Sequence, residues 1–133
     1  MPNSKKDLKP AQVRVGRSCA GLGLFAAEPL RRGQFVIEYT GRILNKKQAD
    51  ARSTGRYLFE TSPNRFIEGS ERANIARYLN HSCRPNCEAI NERGHIRIYA
   101  IRKIKPGEEL TYDYGREYFE DFLRSVGCVC GDC

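Results

Sequence analysis

Four side chains of different chemistry stand shoulder to shoulder at Asn80-His81-Ser82-Cys83, inside the run Arg77-Tyr78-Leu79-Asn80-His81-Ser82-Cys83-Arg84-Pro85-Asn86-Cys87. A carboxamide, an imidazole, a hydroxyl and a thiol can together hold a polar ligand, or Cys83 could act as a nucleophile with His81 as its base. The second arrangement is disfavoured. His81 and Cys83 are two residues apart, so on an extended segment they point in similar directions, and no obvious acid orients the imidazole. The plainer alternative for His81 is a hydrogen-bonded structural histidine. A helix entering from residue 73 should run into Asn80, and Pro85 forbids its continuation. Residues 80–83 then lie at an element boundary, where side chains and main chain can both reach a ligand.

Three other segments carry chemistry. In Glu109-Leu110-Thr111-Tyr112-Asp113-Tyr114 the two tyrosines are two residues apart, share a strand face and can line one channel. Ordinary cross-strand packing is the competing reading. Ala20-Gly21-Leu22-Gly23-Leu24-Phe25 is either a simple turn or a place where backbone without Cβ approaches a ligand closely. It lacks the third glycine and long helix of a dinucleotide site. Cys128, Cys130 and Cys133 crowd the end of the chain. Thiols so close cannot easily bridge one another and favour a single zinc ion, which needs a fourth ligand from elsewhere. Unliganded thiols are the alternative.

Short apolar runs separated by turn residues must position these groups. They fall at 12–15, 24–26, 35–39, 57–60, 66–68, 88–90, 95–101 and 110–112, and predict a mainly β chain. The clearest hairpin joins 88–90 to 95–99 through Asn91-Glu92-Arg93-Gly94, with Ile96, Ile98 and Ala100 on the buried face. Helical spacing is confined to 45–52, 73–79 and 117–126. Residues 1–10 read as a polar mobile tail rather than a signal peptide, 11–115 as the domain, and 116–133 as a helix followed by the cysteine segment. No run approaches the roughly 18 apolar residues of a membrane span. The formal charge of +7 is scattered in pairs such as Lys46-Lys47, which suits a solvated surface better than a dedicated nucleic-acid stripe, although a polyanion is a plausible partner. Six cysteines without an export signal favour an intracellular, reducing compartment.

In this order, the glycine segment, Asn-His-Ser-Cys, the Tyr112 and Tyr114 strand and the terminal cysteines resemble the SET domain, the fold of protein lysine methyltransferases that use S-adenosylmethionine. The resemblance covers roughly residue 13 to the end. It implies a mainly β (β-clip) fold of short strands in several small sheets, a pseudoknot, few short helices and a C-terminal zinc-binding tail. It implies that Ala20, Gly21, Leu22 and Gly23 approach the methyl donor through main chain, that Asn80 and His81 contact its amino-acid and adenine parts, that Tyr57 is a donor-side aromatic and that Val129 lies near the adenine. Tyr114 takes the place of the catalytic tyrosine, Tyr39 that of a second wall of the lysine channel, and Tyr112 that of a residue limiting the number of methyl groups. Cys83 would complete a structural zinc site with Cys128, Cys130 and Cys133. The tail is two residues shorter than the family's usual spacing, and Cys87 is an alternative ligand.

The activity so implied is methyl transfer from S-adenosylmethionine to the ε-amine of lysine on a histone or other basic protein, giving mono- or dimethyl products. The contrasting reading is a noncatalytic SET-like zinc module that binds protein or nucleic acid. A basic protein or peptide is the expected partner. Nucleic acid could join it through the scattered basic surface, and no membrane is involved. The expected location is the nucleus or chromatin in a eukaryote and the cytoplasm in a bacterium. The sequence leaves the oligomeric state open.

Overall fold

Leu24, Val36, Ile98 and Leu110 come from four separate apolar runs and are completely removed from solvent. Burying each such side chain contributes about 1.5–3 kcal/mol, so their meeting point sets the architecture. The computed structural model describes residues 8–19, 21–52 and 57–114. Ten strands occur there: β1 (Val13–Ser18), β2 (Gly21–Ala26), β3 (Phe35–Tyr39), β4 (Arg42–Leu44), β5 (Leu58–Ser62), β6 (Arg65–Glu68), β7 (Asn80–His81), β8 (Cys87–Glu92), β9 (His95–Ala100) and β10 (Glu109–Tyr112). They form three small sheets, ordered β1-β2-β10-β7, β3-β9-β8 and β4-β6-β5. The mainly β architecture of several small sheets is as the sequence implies.

The expected hairpin is β8–β9, with Ala89 opposite Ile98 and Glu92 opposite His95. Its turn is tighter than the four residues anticipated. Only Arg93 and Gly94 lie between the paired ends, with φ of 56° and 88°, the double left-handed conformation of a turn that matches strand twist. On the opposite face of β9 Arg97 is also buried, 7% exposed, and its guanidinium pairs with Glu92 at 3.1 Å and Glu38 at 3.5 Å.

The helix expected over 45–52 is α1 (Lys46–Asp50), opened by an Asn45–Gln48 capping box that satisfies two end N–H groups. The segment at 73–79 is instead a single 3-10 turn, Ile75–Tyr78. Asn74 explains its lateness. Its buried carboxamide donates to Gly69 O at 2.9 Å and accepts from Thr40 N–H at 3.0 Å, so it ties two loops together rather than continuing a helix. The helix expected at 117–126 lies outside the described residues. Among the described residues no helix is long and apolar enough to cross a membrane.

Candidate active site

β10 lies between β2 and β7, and this brings the chemistry together. It pairs antiparallel with β2, Glu109 opposite Phe25 and Leu110 opposite Leu24, and parallel with β7, Thr111 opposite Asn80 and Tyr112 opposite His81. The glycine segment, Asn-His and the two tyrosines therefore converge on one sheet. Asn86, buried just after Pro85, clasps the crossing. Its amide donates to Glu109 O at 2.8 Å, and its carbonyl accepts from Thr111 N–H at 2.9 Å. Sequence reasoning passed over Asn86. The only signal for it was an amide following proline in an otherwise chemical segment.

Tyr114 is held at both ends. Its hydroxyl donates to Leu79 O at 2.5 Å, and its backbone N–H donates to His81 Nδ1 at 3.1 Å. The Tyr112 and Tyr114 rings are 4.9 Å apart, and the His81 ring is 5.3 Å from Tyr114. The two tyrosines thus form one aromatic wall, with Tyr112 buried and Tyr114 half-buried.

His81 is 7% exposed. With Nδ1 accepting from an amide, the neutral ring carries its proton on Nε2, which lies 3.4 Å from Cys83 Sγ. That proton position is wrong for taking a proton from Cys83. Asp113 Oδ1, at 3.7 Å from Nδ1, stands where an orienting acid could. The distance is long for a hydrogen bond, and Nδ1 already accepts one. Burial pushes the His81 pKa down, with Asp113 opposing it, so the imidazole stays neutral near pH 7. The geometry therefore disfavours a cysteine nucleophile.

Asn80 directs its amide nitrogen at Leu22 O, 3.0 Å, and at Glu109 Oε2, 2.8 Å, while Glu109 Oε1 accepts from the Ser18 hydroxyl at 2.9 Å. Glu109 and Ser18 were not anticipated. No local pattern marks them, since Ser18 is 91 residues from Glu109 in sequence. The two glycines of the segment have different surroundings. A Cβ on Gly21, at φ 101°, would have nothing within 4 Å, whereas one on Gly23 would lie 2.5 Å from Glu109 Oε2. Leu22 is 52% exposed. Ala20 lies outside the described residues.

Tyr39 is 5% exposed, its hydroxyl donates to Tyr57 O at 2.7 Å, and its ring packs 5.4 Å from Phe59. Gly69 and Gly41 make room here. A Cβ on Gly69 would overlap the Tyr39 ring, and one on Gly41 would overlap Glu68 O. Beside Tyr57 lies another unanticipated group, Arg77, whose guanidinium carbon is 4.9 Å from the Tyr57 ring centre and 5.2 Å from that of Tyr78. Its pKa is raised, chiefly by the hydrogen bond to the Tyr57 hydroxyl, so it remains a fixed cation clamped between aromatics.

Of the cysteines, Cys87 is 1% exposed and burial pushes its thiol up to about 12. Cys83 is solvent-facing and takes part in a disulfide, whereas Cys19 and Cys87 are free. Cys128, Val129, Cys130 and Cys133 lie outside the described residues, and among those described no cluster of three metal-binding side chains occurs.

A family model described as SET domain matches residues 21–115. The chain belongs to the SET domain family. Among curated relatives, a histone-lysine N-methyltransferase trithorax of Drosophila virilis is 38% identical over 122 residues, 84% of this chain and 3% of that protein. An H3 lysine-4 specific histone-lysine N-methyltransferase of Aspergillus oryzae is 39% identical over 140 residues, 96% of this chain and 11% of that protein. One of the same description from Schizosaccharomyces pombe is 39% identical over 122 residues, 83% of this chain and 13% of that protein. This SET domain chain thus spans a small fraction of the length of the relatives it matches.

Proposed function

We propose that the chain is a protein-lysine N-methyltransferase that moves a methyl group from S-adenosylmethionine to lysine on a histone or other basic protein, giving mono- or dimethyl products. The observation that carries the reading is the convergence on β2, β10 and β7 of Gly21 to Gly23, Asn80, His81, Tyr112 and Tyr114. Family membership and the activities named for the relatives support it.

The methyl donor supplies a sulfonium methyl group. The lysine nitrogen forms the new C–N bond as the C–S bond breaks, leaving the thioether and releasing one proton from nitrogen. Only a neutral amine can attack, and free lysine has a pKa of about 10.4, so the protein must favour the uncharged form by desolvation. Tyr112 and Tyr114 supply an aromatic, poorly hydrated wall for that purpose, and Tyr114, anchored through Leu79 O and His81, orients the amine. Asn80 and the main chain of residues 20–23 hold the donor's amino-acid end, His81 and Val129 its adenine end, and Tyr57 the donor side of the channel. Tyr39 backs the lysine channel through Tyr57 O. Tyr112 limits the methyl count.

In the reduced protein Cys83, Cys128, Cys130 and Cys133 would hold a structural zinc ion that ties the C-terminal segment to the site. In a eukaryote the enzyme would act in the nucleus or on chromatin, and in a bacterium in the cytoplasm. The test is transfer of labelled methyl to core histones and to a host protein extract, comparing wild type with Tyr114→Phe. Label on lysine that falls about a hundredfold or more in the variant is expected. Absence of both transfer and S-adenosylmethionine binding would turn the reading towards the noncatalytic zinc module.

A further inference from the structure

We propose that Glu109 is a positioning residue: it fixes the Asn80 carboxamide with its carbonyl oxygen facing the α-ammonium of the methyl donor, and residue 23 is glycine to make room for that carboxylate. The inference rests on the reading above that this face binds S-adenosylmethionine. A carboxamide has two faces of nearly equal size and opposite hydrogen-bonding sense, so its flip decides whether a ligand cation meets an acceptor or a donor. At Asn80 the flip is determined. Leu22 O at 3.0 Å and Glu109 Oε2 at 2.8 Å can only accept, so both must be met by Nδ2. Oδ1 accepts no hydrogen bond among the described residues and is left for a donor group on the ligand.

Leu22 O alone would hold one amide hydrogen, and the carboxylate takes the other with a charge-assisted bond. Glu109 is itself fixed by the Ser18 hydroxyl at 2.9 Å. Its carboxylate lies across Gly23, where a Cβ would come within 2.5 Å of Oε2 and 3.0 Å of Ser18 Cβ. The Gly-x-Gly segment therefore serves two separate ends. Gly21 leaves open space on the ligand side in a left-handed conformation, and Gly23 accommodates the acid that orients Asn80.

Calorimetric titration of wild type, Glu109→Ala, Glu109→Gln and Gly23→Ala with S-adenosylmethionine, and with its analogue lacking the α-amino group, tests this. Glu109→Ala is expected to weaken the natural donor about tenfold and the analogue less than about twofold. Glu109→Gln keeps an oxygen that can accept from Asn80, and should stay within about threefold of wild type. Gly23→Ala, which displaces the carboxylate by another route, should reproduce the Glu109→Ala pattern and serves if that variant does not fold. Unchanged affinity in Glu109→Ala, or equal weakening of donor and analogue, overturns the proposal. So does a Glu109→Gln loss as large as that of Glu109→Ala, because the negative charge would then act on the ammonium directly. Wild type that binds neither compound overturns the functional reading itself.

Discussion

At the scale of single residues, the proposed function divides one wall, Tyr112 and Tyr114, between two tasks. Tyr114 spends its hydroxyl on Leu79 O, so its ring and backbone are fixed from both ends. In the proposed reading Tyr112, with its ring 4.9 Å away, would restrict a methylated amine through the volume of its hydroxyl. Replacing Tyr112 with Phe removes that polar group and leaves the wall, so the products should shift towards higher methyl states, read by mass spectrometry of a modified peptide. An unchanged product distribution would refute the role. Both tyrosines were legible because alternation along a strand puts residues two apart on one face. The side-chain partners of His81 were not legible: its ring nitrogens meet Tyr114 and Cys83, groups 33 and 2 residues away. A long-range acceptor of this kind leaves no local mark in sequence.

At the scale of elements, the glycines between strands control where the tyrosine supports sit. Gly41 follows β3 and meets Glu68 O at the end of β6, while Gly69 meets the Tyr39 ring. Gly41→Ala would force the start of β4 away from the end of β6 against backbone rather than a flexible side chain, and should cost about 1–3 kcal/mol in urea unfolding. A loss below about 0.5 kcal/mol would show that the contact relaxes freely. A second prediction belongs to β8 and β9, which carry Cys87 and Tyr99. Burial pushes the Cys87 thiol to about 12 from 9.0, and burial followed by the Glu92 hydrogen bond pushes Tyr99 to about 12 from 10.0. Both folded pKa values lie above the unfolded ones, so the folded state binds more protons at alkaline pH. Stability should therefore be complete below pH 9 and fall from there towards pH 12, with a shallower fall in Cys87→Ala, followed by the urea midpoint against pH. Equal slopes in both proteins would assign the loss elsewhere. Most strands were legible from their apolar runs. β7 was not, because two residues paired in parallel to a distant strand carry no periodicity.

For the molecule as a whole, the proposed zinc site would be the point where the C-terminal segment acts on the sheet that carries the chemistry. Cys83 lies two residues beyond the ring it touches at 3.4 Å, and that ring holds Tyr114 at 3.1 Å. Whatever clamps Cys83 should thus also steady Asn80, His81 and Tyr114, which the spacing of cysteines alone could not reveal. Protein purified without chelator should carry about one zinc per chain. Stripping the metal should lower kcat/KM about tenfold or more while the far-ultraviolet signature of the sheets persists, because the core around Leu24, Ile98 and Leu110 does not depend on Cys83. Zinc returned to the reduced protein should restore activity. Well under one equivalent of zinc, together with a thiol count showing Cys83 oxidised in the active enzyme, would replace the metal with a disulfide as the clamp. Loss of the sheets on chelation would instead make the metal a condition of folding, as in domains too small to hold together without it.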